Sequence, residues 1–178
     1  MRVIGGELKG RRIDIPKNLP ARPTTDFARE GLFNILNNRI SFEGLNILDM
    51  FSGTGLISLE FFSRGAVSSV SIDNHPNCVN HLRKLAKSFQ LKWTIYKRNV
   101  FYFLNNHEGS YDLIFADPPY DLKEIPQIPE LVYKAEGLLK PGGLLIVEHS
   151  KRTDLSQAIN FVEMRKFGNV VFSFFKAS

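Results

Sequence analysis

The chain has 178 residues, 43% hydrophobic and 23% charged, which fits one globular domain burying roughly 70% of its unfolded surface. Its one cysteine, Cys78, excludes an internal disulfide framework and fits a reducing compartment. No signal-peptide core precedes Gly5-Gly6 and no apolar run is as long as a membrane span, so the expectation is a cytoplasmic protein with no membrane partner.

The formal net charge is +5, and it is unevenly spread. Residues 1–40 hold Arg2, Lys9, Arg11, Arg12, Lys17, Arg22, Arg29 and Arg39 against Glu7, Asp14, Asp26 and Glu30, a net +4. A basic arm favours a polyanion through counterion release; a solvated charged surface is the competing reading. Within this extension, Val3-Ile4 and Arg12 to Ile15 are expected to pair across the turn from Gly5-Gly6 to Gly10. Pro16 to Pro23 reads as an extended, mobile segment with three prolines. Thr25 or Asp26 is expected to cap a helix through Asn37, with Ala28, Leu32, Ile35 and Leu36 as its apolar stripe. Gly31 costs that helix about 1 kcal/mol relative to alanine.

From Leu45 the sequence alternates strand-like and helix-like segments, which predicts a parallel sheet covered on both faces. Leu45–Asp49 reads as the first strand, and Gly53-Thr54-Gly55 turns into a helix to about Ser63. Val67–Ile72 is the second strand, followed by a helix from Pro76 to Phe89. Trp93–Tyr96 is the third strand and Val100–Leu104 a short helix. Leu113–Ala116 is the fourth strand; a helix from about Pro129 is expected to stop before Pro141-Gly142-Gly143, and Leu144–Val147 to form the fifth strand. Phe161–Phe167 and Val170–Phe175, joined at Gly168-Asn169, read as an antiparallel hairpin. A parallel α/β sheet finished by such a pair resembles the class I methyltransferase fold: Rossmann-like, doubly wound and mostly parallel. Here it carries a small N-terminal hairpin and helix, giving an extension over 1–40 and a main domain over 41–178.

Asp49, Asp73 and Asp117 each follow an apolar run and precede a turn, so all three are expected at the carboxyl edge of the sheet, where open α/β sheets bind ligands. Asp49-Met50-Phe51-Ser52-Gly53-Thr54-Gly55 is the candidate cofactor loop. Its glycines let the backbone approach a ligand, and the helix that follows favours an anionic group at its N-terminus. A dinucleotide fingerprint would place Gly or Ala where this chain has Ser58, and S-adenosyl-L-methionine fits the wider loop better. Asp73 is then placed to accept from both ribose hydroxyls. Asn74, His75 and Pro76 flank the adenine, with His75 read as a turn residue. Asn99, before Val100, is either a partner for the adenine amine through its side-chain oxygen or an ordinary helix N-cap.

Pro118 and Pro119 forbid both ladder hydrogen bonds and helix, so the chain leaves the sheet extended after Asp117. That sets a carboxylate, a stiff carbonyl and the Tyr120 ring together at a strand end. Such an acceptor pair beside a stacking ring suits a planar base bearing an exocyclic amine. Asp117 and the Pro118 carbonyl would accept the two amine hydrogens, with Pro119 stiffening the corner and Tyr120 stacking on the extruded base.

Arg2 to Gly6 with Gly10 to Arg12, Arg22 to Asp26, Arg29 to Leu36, the loop Asp49 to Gly55 and the corner Asp117 to Tyr120 together resemble the RsmD-type small-subunit ribosomal RNA methyltransferases, over nearly the whole chain. The resemblance implies S-adenosyl-L-methionine-dependent N2-methylation of guanine 966 in 16S rRNA, on a partly assembled 30S particle. The same resemblance puts Asp49, Phe51, Ser52, Gly53, Thr54, Gly55, Asp73, Asn74, Asn99 and Val100 at the cofactor. Lys9, Arg11, Arg12, Arg22 and Thr24 are assigned to RNA. No metal is expected, and the chain is read as a monomer. Asp73 stands where the family usually has Glu, and Asn99 where Asp is common. A DNA or RNA adenine-N6 methyltransferase shares the amine chemistry and is the alternative. A nicotinamide-dependent oxidoreductase has no use for the double proline, and a noncatalytic RNA-binding module has none for an intact Asp117.

Overall fold

The computed structural model describes residues 1–21, 23–107 and 109–176. Seven strands form one sheet: β1 (Asn46–Met50), β2 (Ser68–Asp73), β3 (Trp93–Lys97), β4 (Tyr111–Ala116), β5 (Leu139–Ser150), β6 (Phe161–Phe167) and β7 (Val170–Lys176). Their spatial order is β3-β2-β1-β4-β5-β7-β6. The first five are parallel, β7 runs antiparallel to β5, and β6 hangs on β7 as the outer strand of the expected hairpin. Strand order reverses between β1 and β4, which opens a crevice at their carboxyl ends.

Five α-helices accompany the sheet among the described residues: α1 (Asp26–Asn37), α2 (Leu56–Ser63), α3 (Pro76–Ser88), α4 (Val100–Asn105) and α5 (Ile128–Lys134). Along β1 alternate side chains serve opposite faces, as the two-residue strand period requires. Ile47 packs with Leu32, Phe33, Leu36 and Phe61 of α1 and α2. Leu48 and Met50 pack with Val100, Phe103, Ile128 and Val132 of α4 and α5. Asp49 therefore turns toward α2, where it meets Ser58. None of the helices is long and apolar enough to cross a membrane.

The expected fifth strand is longer than its apolar run. α5 ends at Lys134 and β5 already begins at Leu139, ahead of Pro141. Tyr111 pairs with Leu139, but Leu113 next pairs with Leu144, so Pro141 and Gly142 are extruded as an exposed bulge. Proline has no donor for the ladder, and a bulge removes the need for one. At the other end β5 runs past Val147 through Ser150, because β7 pairs with Glu148, His149 and Ser150.

The extension packs against the helices. Arg2 and Arg12 form an antiparallel bridge, and Val3 and Ile13 are buried with Leu56, Leu59, Leu82 and Leu85 of α2 and α3. Glu60 on α2 accepts the backbone N–H groups of Ile4 and Gly5. Thr25 caps α1, its hydroxyl accepting from Ala28 N–H at 3.2 Å. Gly31 has a packing reason: a Cβ there would lie 2.1 Å from the Phe167 ring. The segment expected to be mobile lies against the glycine loop at Ala21, and Asn77 Nδ2 donates to the Asn18 carbonyl at 3.3 Å. Two of the arm's cations are consumed by the fold. Arg29 is wholly buried, bonding Asp26 at 2.9 Å and the Arg2 carbonyl at 2.6 Å with Glu60 3.8 Å away, and Arg39 pairs with Glu163.

Candidate active site

A cavity of about 890 Å³ lies at the carboxyl ends of β1, β2 and β4, and the glycine loop, the double-proline corner and Pro20, Ala21, Pro23, Thr24 and Thr25 of the extension all contribute to its wall. Parallel pairing brings the three strand-end aspartates there. Met50 is in register with both Ile72 and Ala116, so Phe51, Asp73 and Asp117 leave the sheet at one level. The Asp117 N–H still donates to the Met50 carbonyl at 3.2 Å, fixing the corner before Pro118 turns the chain away.

The glycine loop is shaped by backbone conformation. Phe51 is at φ 62° and Gly53 at φ 52°, the left-handed region that a side-chain-bearing residue such as Phe51 enters at a cost. The Gly53 N–H donates to Asp73 Oδ2 at 2.9 Å, and a Cβ on Gly53 would meet the Ala21 methyl at 2.8 Å. Ser52 Oγ donates to the Asp49 carbonyl at 2.6 Å, and Ser52 and Thr54 are buried in the wall. Gly55 lies behind it, where a Cβ would strike Leu82 at 2.4 Å; its role is to let α2 and α3 approach.

Asp73 is oriented on both oxygens, because Oδ1 accepts the His75 N–H at 2.8 Å. His75 caps α3, its Nδ1 accepting from Asn77 N–H, while Asn74 is exposed at the rim. Asn99 behaves as a helix cap. Its Oδ1 accepts from Phe101 N–H at 2.9 Å and Tyr102 N–H at 3.2 Å, and Val100 behind it is buried in the wall.

Sequence reasoning missed Glu148. It is 3% exposed, and accepts the Thr24 hydroxyl on Oε2 and the Tyr120 hydroxyl on Oε1, each at 2.9 Å. The only sequence signal is an acidic residue ending an apolar run, Leu144 to Val147. Lys9, Arg11 and Arg12 are exposed on the hairpin and stand outside the cavity wall; the Arg11 guanidinium lies 5.7 Å from the Phe89 ring centre. Arg22 lies outside the described residues.

The cavity is strongly acidic. Burial raises Asp49 from 3.8 to about 7, with the Ser58 hydroxyl opposing and Asp73 adding repulsion. Asp117 is pushed well above the ordinary carboxylate range by burial first, then by Glu148 and Asp49. Burial also raises Glu148, against the two hydroxyls it accepts. Carboxylates crowded in a low-dielectric cleft each gain from a cation bound among them.

The comparisons with known proteins agree with this layout. The family model described as Conserved hypothetical protein 95 matches residues 1–176. A relative named Ribosomal RNA small subunit methyltransferase D, from Buchnera aphidicola subsp. Baizongia pistaciae, is 32% identical over 83% of this chain and 75% of its own. The Bacillus subtilis putative rRNA methyltransferase YlbH is 27% identical over 93% and 91%. A solved structure described as the putative methyltransferase yhhF from Escherichia coli superposes with a TM-score of 0.87 at 26% identity, covering 100% of this chain and 98% of the other. The chain belongs to the Conserved hypothetical protein 95 family, that of the RsmD-type methyltransferases.

Proposed function

We propose that the protein transfers a methyl group from S-adenosyl-L-methionine to the N2 amine of a guanine in 16S rRNA, guanine 966, within an assembling 30S particle. The observation that carries the reading is the convergence, at one cavity, of the Asp117–Pro118 corner, the Tyr120 ring and an acidic cleft beside a glycine loop. The names of the relatives support rRNA of the small subunit as the substrate class; the choice of guanine rests on the resemblance of the N-terminal blocks.

The donor set suits the cofactor. Asp73, held by two backbone N–H groups, keeps lone pairs for the ribose hydroxyls, since a carboxylate accepts about four hydrogen bonds. Phe51, Ser52, Gly53 and Thr54 would surround the amino-acid end, with Gly55 closing the turn into α2. Because Asn99 Oδ1 is occupied by its own helix, its contribution to the adenine is the Nδ2 donor, beside Val100 and Asn74. Asp49, among the cavity's carboxylates, favours a cationic ligand. Bound there, S-adenosyl-L-methionine supplies a methyl group activated by its sulfonium.

The residues of the corner then act on the base. An aryl amine is a poor nucleophile because its lone pair is delocalised into the ring. Asp117 and the Pro118 carbonyl accept its two hydrogens and turn the lone pair out of the ring plane; holding reactants in such a geometry is worth roughly 7–11 kcal/mol. Tyr120, exposed at the rim, stacks on the extruded base, a contact of about 1–3 kcal/mol. Asp117 takes the proton released on alkylation, and its raised affinity for protons fits that role. Lys9, Arg11, Arg12, Arg22 and Thr24 position the RNA, the cations through phosphates.

The test is mass mapping of methylated nucleosides in 16S rRNA from a strain deleted for the gene. The expected result is loss of one N2-methylguanosine, restored by the wild-type gene and not by Asp117→Asn. Loss of an N6-methyladenosine instead would assign the adenine chemistry, and an unchanged methylation map would end the proposal.

A further inference from the structure

Glu148 is a buried carboxylate that neither the cofactor contacts nor the base contacts use. It follows Val147, which pairs with Ala116 at the end of β4, and it lies opposite the wholly buried Phe172 of β7. An apolar residue of similar volume would fill that position without desolvating a charge beside Asp117. The two hydroxyls that meet it come from separate parts of the chain. Thr24 follows the segment Pro16 to Pro23, the proline strap, just before α1, and Tyr120 ends the double-proline corner. Elsewhere the strap's ties are lighter: Ala21 lies against the glycine loop, and Asn18 holds one exposed hydrogen bond with Asn77.

We propose that Glu148 is a positioning residue that couples the proline strap to the ring of Tyr120, so that seating the strap over the cavity and orienting the ring are a single event. The proposal rests on the reading of Tyr120 as the ring beneath the target base. It follows that RNA contacts on the extension act on the base-holding corner through one carboxylate, separately from the target base's own contacts there.

Two substitutions separate positioning from mere burial. Glu148→Leu removes both acceptors at similar volume. Glu148→Gln keeps an oxygen and an amide that two hydroxyls can satisfy, since each hydroxyl donates or accepts. On small ribosomal subunits from the deletion strain, Glu148→Leu is expected to lower kcat about tenfold or more, because small misplacements of reacting groups are costly. Both variants lose the same charge, so their Kd values for S-adenosyl-L-methionine should agree within about twofold, while Glu148→Gln should recover most of the rate. Backbone hydrogen exchange on the full chain without RNA supplies a readout independent of activity. Tyr120→Phe should raise exchange several-fold at Ala28 and Arg29, whose N–H groups donate to Thr25, through the loosened Glu148.

Unchanged exchange at those amides, or wild-type kcat in Glu148→Leu, overturns the coupling. If Glu148→Leu does not fold, the Thr24→Val and Tyr120→Phe double-mutant cycle decides. Coupling predicts a double variant about as slow as the slower single one, and independent multiplicative losses refute it. A wild-type protein inactive on rRNA would fail the functional reading, while the exchange experiment would still judge Glu148.

Discussion

Replacing Asp49 with asparagine removes a carboxylate that is 1% exposed and holds its proton up to a pKa of about 7. In the unfolded chain the same group titrates near 3.8. Between those two values the folded protein keeps a proton that the unfolded chain has released, so stability falls as pH rises from about 4 to about 7 and is level above. Integrated over that window, the single group withdraws about 4 kcal/mol, of which about 3 kcal/mol lies between pH 5 and pH 8. Asparagine cannot ionise, yet its Oδ1 can still accept the Ser58 hydroxyl that lies 2.7 Å from Asp49 Oδ2. Asp49→Asn should therefore gain on the wild type with rising pH, the gap widening by about 3 kcal/mol from pH 5 to pH 8. Urea unfolding of both proteins across that range, at constant ionic strength and with m compared, reads the gap directly. A gap that does not change with pH refutes a proton-holding Asp49 and the low-dielectric cleft inferred from it.

Asp117→Asn should lower the single-turnover methylation rate by about a hundredfold or more, as expected for loss of one oriented polar group, with cofactor affinity nearly intact by calorimetry. Because Asp117 must be ionised to accept the amine hydrogens and burial beside Glu148 and Asp49 raises its pKa, the wild-type rate should fall with decreasing pH already above the ordinary carboxylate range; a flat profile argues against the role. Neutralising Lys9, Arg11 and Arg12 together should weaken RNA binding and flatten its log–log salt dependence by about 0.7–0.9 per lost phosphate contact. Filter binding over a salt series that returns the wild-type slope would remove them from the interface. Gly31→Ala should destabilise by about 1–3 kcal/mol despite the better helix former, because the new methyl meets the Phe167 ring; denaturant unfolding that shows a gain would discount that contact.

The parallel core was legible because local chemistry dictates it. The apolar runs at Ile47, Leu113 and Ile146 are too continuous for one-faced strands, and they are buried on both faces. The hairpin was equally legible, since Gly168-Asn169 separates two β-prone runs and Gly168 takes a positive φ. The start of β5 was not: Pro141-Gly142-Gly143 reads locally as a helix stop, and only the pairing of Tyr111 with Leu139 makes it a bulge inside a strand. Asn99 fits either a cofactor contact or a helix cap by its sequence, and the backbone of α4 holds its oxygen. Arg29 shows the limit of counting charge, because a buried guanidinium paired with Asp26 contributes nothing to a surface field.

By itself the amino-acid order determined which segments are strands, where the carboxylates stand on them, and that Pro118-Pro119 must leave the sheet, because these depend on neighbours within a few residues. Tertiary structure alone decided that Glu148 joins Thr24 to Tyr120, 124 and 28 residues away in the chain. It also decided that the proline strap lies along the glycine loop and that Gly31 makes room for Phe167. Such contacts are fixed by how distant surfaces fit and exclude water, and no local pattern of residues encodes that.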